Sequence, residues 1–242
     1  MFFARRLILL ALSLVLPVAI FAEEPEQDDR LSWFRDARLG IFIHWGIYTV
    51  EGIDESWSFF NGYVSYDDYM AQLDGFTADL YKPKDWAKLI EQSGARYAVL
   101  TTKHHDGVAL WDTQENDLST VKATPAGRDL VKPFVRALRK RDLRVGLYYS
   151  HLDWSHPDYP IQTRTERRYD EDPERWQRFL DFREGQLREL TTQFEPDLLW
   201  FDGDWEVGGS DVWKSAALRD SLLTWQPEAI LNSRINGHGD YA

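Results

Sequence analysis

The 242-residue sequence contains no cysteine. Disulfides and thiolate metal sites are therefore excluded. Positive charge is scarce as well: 28 Lys and Arg against 40 Asp and Glu leave a formal net charge of −12. Nucleic acid demands clustered cations, and the densest basic stretch, Arg139-Lys140-Arg141, falls at an expected helix end, where cations suit the dipole. No nucleic-acid partner is expected. A membrane-length apolar run is also missing. The longest, residues 7–21, has 15 residues against about 20 for a bilayer-spanning helix. It follows the basic pair Arg5-Arg6 and stops before Ala22, so residues 1–22 read as an export signal, although Ile20 is a poor residue three before the cut. An uncleaved anchor is the alternative. Residues 23–30 read as a solvated acidic linker. The expected product is exported and free of the membrane once the signal is cleaved.

What is abundant is apolar and aromatic. With 43% hydrophobic residues the chain can bury a sizeable core. Its 11 Trp either pack that core or stack on flat apolar ligand faces such as those of sugars, and composition leaves both open. From residue 30 onward short apolar runs (39–43, 97–101, 145–149, 198–201, 230–232) alternate with helical periods (84–93, 130–141, 173–194, 212–225). The runs are apolar on both faces, as in covered parallel strands. No glycine-rich phosphate loop follows the first of them. Residues 31–242 are therefore expected to be an α/β domain, a (β/α)8 TIM-like barrel with about five βα units, incomplete at its C-terminus. An open barrel exposes two edges and an apolar inner face. Either the chain is a fragment, or a homo-oligomer covers the opening.

Chemistry-bearing residues collect at one place in each unit, the C-terminal end of the strand. His44 follows the first, Lys103-His104-His105-Asp106 the second, Ser150, His151 and Asp153 the third, Asp202 the fourth and Arg234 the fifth. In a parallel barrel these ends converge on the active face. Metal-assisted hydrolysis by His44, His104, His105 and Asp202 is one reading. Adjacent histidines diverge from an extended backbone, however, and there is no His-x-His pair, so no metal or cofactor is expected. Glycoside hydrolysis is the other: one carboxylate attacks an anomeric carbon while a second acid protonates the leaving oxygen.

Four blocks then carry a resemblance: His44-Trp45-Gly46-Ile47-Tyr48; Lys103-His104-His105-Asp106-Gly107 with Leu110-Trp111-Asp112; Tyr148-Tyr149-Ser150; and Trp200-Phe201-Asp202-Gly203-Asp204-Trp205. In this order they resemble the α-L-fucosidases of glycoside hydrolase family 29. The resemblance implies a retaining exo-glycosidase that releases α-L-fucose from a fucosylated oligosaccharide or glycoconjugate, with Asp202 as covalent nucleophile. It implies that His44, His104 and His105 bind sugar hydroxyls, that Trp200 binds the sugar and Arg234 lies near it, and that Tyr148 or Tyr149 approaches the nucleophile. Family members often carry Glu directly before Trp after the first strand. Here the order is Glu55-Ser56-Trp57, so Trp57 and, more weakly, Glu55 are kept as binding candidates. Asp106 is expected to orient the histidine loop. Asp112 and Asp204 read as turn or supporting groups.

The acid/base is unassigned. The resemblance places it after the Arg234 strand, where Asp240 is the only side-chain carboxylate. Glu55 or Asp153 substitutes only in principle. The alternatives are a weak or inactive fucose-binding protein on the same barrel and, third, a metal-dependent barrel hydrolase.

Overall fold

The computed structural model describes residues 29–241; the expected signal and all but the last two residues of the expected linker lie outside them. Along the chain run α1 (Ser32–Ala37), β1 (Gly40–Ile43), α2 (Trp57–Phe60), α3 (Tyr66–Met70), α4 (Pro83–Gln92), β2 (Tyr97–Lys103) and α5 (Val131–Arg139). There follow β3 (Arg144–Ser150), α6 (Pro173–Phe194), β4 (Leu198–Asp202), α7 (Ser210–Trp213), α8 (Ser215–Trp225) and β5 (Ile230–Leu231). The sheet is wholly parallel, in the order β1-β2-β3-β4-β5. Each strand thus lies beside its sequence neighbour, which is barrel winding; a doubly wound sheet reverses direction at a switch point. The described residues form a partial (β/α) barrel.

Local signals explain the elements. Pro173 opens α6, where a missing N–H costs nothing, and the Asp172 side chain caps it by accepting from the Arg175 amide. Val131, Phe134, Val135 and Leu138 give α5 its buried stripe. The single helix expected over 212–225 is two: Lys214 adopts a left-handed φ of 51° and separates α7 from α8. Helical periodicity persists through such a break, which is why the sequence pattern does not reveal it.

The two faces of the sheet go to different places. Ala98, Leu100, Val145, Leu147, Tyr149, Leu199 and Phe201 join the large core under the helices. Val99, Tyr148, Leu198 and Ile230 face the barrel interior, packed against Trp33, Phe34, Tyr97 and Trp200. Trp33 and Phe34 of α1 meet Tyr97 at 5.9 and 5.6 Å, so aromatic rings plug the interior where β2 begins. The 11 Trp divide accordingly. Trp111, Trp154 and Trp213 are fully buried packing residues, while Trp205 is 52% exposed.

Candidate active site

The register of the central strands decides which side chains enter the site. Tyr148 pairs with Trp200 and Ser150 with Asp202, so these four share the interior face. Tyr149 pairs with Phe201 on the opposite face. Tyr148 Oη donates to Asp202 Oδ2 at 2.9 Å. Tyr149 instead donates to Gln186 Oε1 of α6 at 2.9 Å, under the helices. The expectation of Tyr149 as a binding residue is therefore corrected: side chains alternate across a strand, and only one member of the Tyr-Tyr pair can look inward.

A break in register produces the histidine loop. Thr101 pairs with Tyr148, but the next pair joins Lys103 to Tyr149. This irregularity turns Lys103 to the helix side, where its ammonium lies 4.4 Å above the Tyr149 ring and 3.2 Å from Asp153 Oδ2, all buried. Burial works against the Lys103 charge, but Tyr149 and Asp153 leave its pKa raised. Asp153 also accepts from the Ser155 and His156 amides, and a Cβ on Gly107 (φ +79°) would collide with its carboxylate. Asp153 is thus a tie between loops. Asp106 is another, accepting from Tyr69 Oη at 2.6 Å and from the Val108 amide at 2.9 Å.

β2 ends at Lys103, so His104 and His105 lie beyond the strand, His105 in a turn. Their rings sit side by side with centroids 4.2 Å apart, so the expected divergence does not hold. His105 Nε2 lies 3.8 Å from Asp202 Oδ2. His104 stacks on Tyr148 at 5.6 Å with planes 8° apart and meets His44 edge-on at 5.6 Å. Trp57 stands edge-on to His105 at 5.5 Å. Arg234, half exposed, donates to Asp202 Oδ1 and places its guanidinium 5.4 Å from the Trp205 ring. Asp204 accepts from the Asn236 amide at 2.7 Å and so braces the Arg234 turn, whereas Asp112 is exposed and serves a local turn. Glu55 is half-buried, and its charge, with that of Asp202, opposes the desolvation that lowers the His44 pKa.

Three contributors were not singled out from sequence. Phe42 stacks on His44 at 5.0 Å and meets Trp200 edge-on at 5.2 Å, forming an apolar floor that is 38% exposed. Trp205 flanks Arg234, and it was visible only as the end of a motif. Ser56, fully buried, lies 2.5 Å from His104 Nδ1, in the place where the resemblance led one to look for a glutamate.

Burial sets the protonation of the loop. It pushes His105 down to about 3, aided by Lys103 and His44, and pushes His104 and His151 well below the ordinary range. It raises Asp106 to about 6. The native state thus binds fewer protons than the unfolded chain at the histidines, and stability is lost as pH falls from 6.5 toward 3. Asp106 acts oppositely, since it keeps a proton in the native state between pH 6 and 3.8. Down to pH 4 the His105 and Asp106 shifts nearly cancel, at about 3 kcal/mol each. With His104 and His151 on the same side, the histidines win. Urea unfolding midpoints are expected to fall steadily from pH 7 to pH 4; a flat or rising profile contradicts buried neutral histidines.

A profile described as alpha-L-fucosidase matches residues 21–241. The chain belongs to the α-L-fucosidase family. Among its relatives here, tissue alpha-L-fucosidase of Macaca fascicularis is 33% identical over 225 residues, covering 84% of this chain and 46% of that protein. Plasma alpha-L-fucosidase of Rattus norvegicus is 35% identical over 243 residues, covering 87% of this chain and 50% of the relative. The chain thus spans about half the length of the curated α-L-fucosidases it matches. Among solved structures, alpha-L-fucosidase isoenzyme 1 from Paenibacillus thiaminolyticus superimposes with a TM-score of 0.78 at 37% identity, over 86% of this chain and 51% of that one. A GH29 alpha-L-fucosidase from Bacteroides thetaiotaomicron, trapped as a covalent intermediate with 2-fluoro-fucosyl fluoride, gives 0.77 at 33% identity over 87% of this chain and 50% of that one.

Proposed function

We propose that this chain carries the sugar-binding and nucleophilic side of a retaining α-L-fucosidase acting on fucosylated oligosaccharides or glycoconjugates. The observation that carries the reading is the Asp202 carboxylate, held at the end of β4 by two donors, Tyr148 and Arg234, beside His104 and His105. Burial raises the Tyr148 pKa far above its ordinary value, so its hydroxyl stays a donor at any working pH. In the proposed reaction an Asp202 oxygen attacks the anomeric carbon and the aglycone oxygen departs with the bonding pair. Water then attacks the anomeric carbon of the glycosyl ester and gives up a proton to solvent, where the departed aglycone oxygen takes one up; the carboxylate is freed and the sugar returned with its configuration retained. His44 and the histidine loop bind hydroxyls, and Trp57, Trp200 and Phe42 offer apolar surface to the ring. The trapped covalent intermediate of the Bacteroides relative supports the same two-step course.

Export belongs to this proposal, supported by Arg5-Arg6 ahead of the apolar run at 7–21. So does self-association over the free edges of β1 and β5, each of which has one strand partner among the described residues. The test is hydrolysis of an aryl α-L-fucoside by the 242-residue chain, followed by proton NMR, with its mass in solution recorded. The α anomer of fucose is expected as first product. Release of the β anomer refutes the double displacement, and binding without any release points to a fucose-binding protein.

A further inference from the structure

A serine hydroxyl stands behind each loop histidine. Ser150 Oγ lies 2.5 Å from His105 Nδ1, and Ser56 Oγ lies 2.5 Å from His104 Nδ1. All four residues are buried, His104 and His105 at 5% and 1% exposure. The two serines differ in what else they touch. Ser150 Oγ donates to the backbone carbonyl of Leu152 at 2.8 Å. A hydroxyl has one hydrogen, and a carbonyl can only accept. With that hydrogen committed, Ser150 Oγ meets His105 as an acceptor, so Nδ1 carries the imidazole proton. Nε2 is then a bare lone pair, and Nε2 is the atom that faces Asp202. Ser56 Oγ has no second acceptor among the described residues. A buried hydroxyl left undonated costs about 1–3 kcal/mol, so its hydrogen goes to His104 Nδ1 and the proton of that ring resides on Nε2.

We infer that Ser56 and Ser150 are positioning residues that lock His104 and His105 as opposite neutral tautomers, giving the pocket one imidazole donor and one imidazole acceptor side by side. Burial keeps both rings uncharged at neutral pH. A lone pair next to a carboxylate repels anions and calls for a group that brings its own hydrogen. On the fucosidase reading, that group is the hydroxyl next to the carbon that Asp202 attacks, while His104 serves a neighbouring hydroxyl oxygen as donor. The arrangement therefore selects a polyol by the direction of its hydrogens.

The test is a two-bond proton–nitrogen spectrum of the full chain labelled with 15N-histidine at pH 7. The six His are few enough to assign with His104→Asn and His105→Asn. His105 is expected to show the Nδ1–H pattern and His104 the Nε2–H pattern. The same tautomer at both, or a charged ring at either, overturns the inference. Ser150→Ala is expected to dissolve the single tautomer of His105 while leaving that of His104, and Ser56→Ala the converse. An unchanged His105 pattern in folded Ser150→Ala overturns the role of Ser150; should that variant not fold, the unmodified spectrum decides alone. With an aryl fucoside, Ser150→Ala is expected to lower kcat/KM by about tenfold. Opposite tautomers in a chain with no turnover at all leave this inference standing and refute the fucosidase reading instead.

Discussion

Replacing Asp202 by Gly is expected to lower kcat/KM for an aryl α-L-fucoside by about 10⁴-fold or more, as loss of a covalent nucleophile does elsewhere. The loss belongs to chemistry, not folding. Of the two side chains that hold Asp202, Arg234 is half exposed, and exposed ion pairs stabilise little, while the Tyr148 hydroxyl is left to donate to water in the vacated space. Tyr148 and Arg234 would remain aimed at the space left behind. Azide is small, anionic and suited to two donors, so it is expected to restore turnover in this variant. It attacks once, from the face Asp202 occupied, and the product is the inverted β-fucosyl azide. Rescue that yields the α-azide, or Asp202→Gly retaining a tenth of the original activity, places the nucleophile elsewhere.

The second large effect concerns the leaving group. Fucosides with alkoxide leaving groups are expected to react about 10²–10⁴-fold more slowly than aryl fucosides with the 242-residue chain, the usual worth of proton donation. The reason lies in how the nearby carboxyls are engaged. Asp153 is paired with Lys103, Asp106 is held by Tyr69, and Asp204 is held by the Asn236 amide. Glu206 accepts from both Trp154 Nε1 and Tyr159 Oη, although burial raises its pKa. Asp240, the carboxylate after Arg234, is buried between Arg30 and Arg219 and accepts from the Leu231 amide. That leaves Glu55, whose charge acts on His44. Comparable rates on both substrate classes contradict this account. If Glu55→Gln then slows only the alkyl fucosides, Glu55 is the proton donor.

Much of the architecture was legible in the sequence because parallel strands covered on both faces read as plain apolar runs. All five were placed within two residues of their observed ends. Their ends pointed to one region, since His44, His104, His105, Asp202 and Arg234 do converge there. What was hidden depends on phase and on loop geometry. Tyr148 and Tyr149 are adjacent and chemically alike, so only the strand register separates them. The shift between Thr101 and Lys103 follows from how β2 meets β3, and it both buries Lys103 and releases the two histidines to lie together. The roles of Ser56 and Ser150 rest on contacts across 48 and 45 residues, beyond any local pattern.

The most direct test of the central claim is covalent trapping at Asp202. The chain is incubated with 2-deoxy-2-fluoro-α-L-fucosyl fluoride, digested, and its peptides are weighed. Fluorine beside the anomeric carbon slows both steps while fluoride, a good leaving group, lets the first proceed, so the ester accumulates. The account predicts one added fluorofucosyl group on the peptide containing Asp202, and none in Asp202→Gly. An intact chain that releases fluoride without a stable adduct, or an adduct on any other carboxylate, contradicts it.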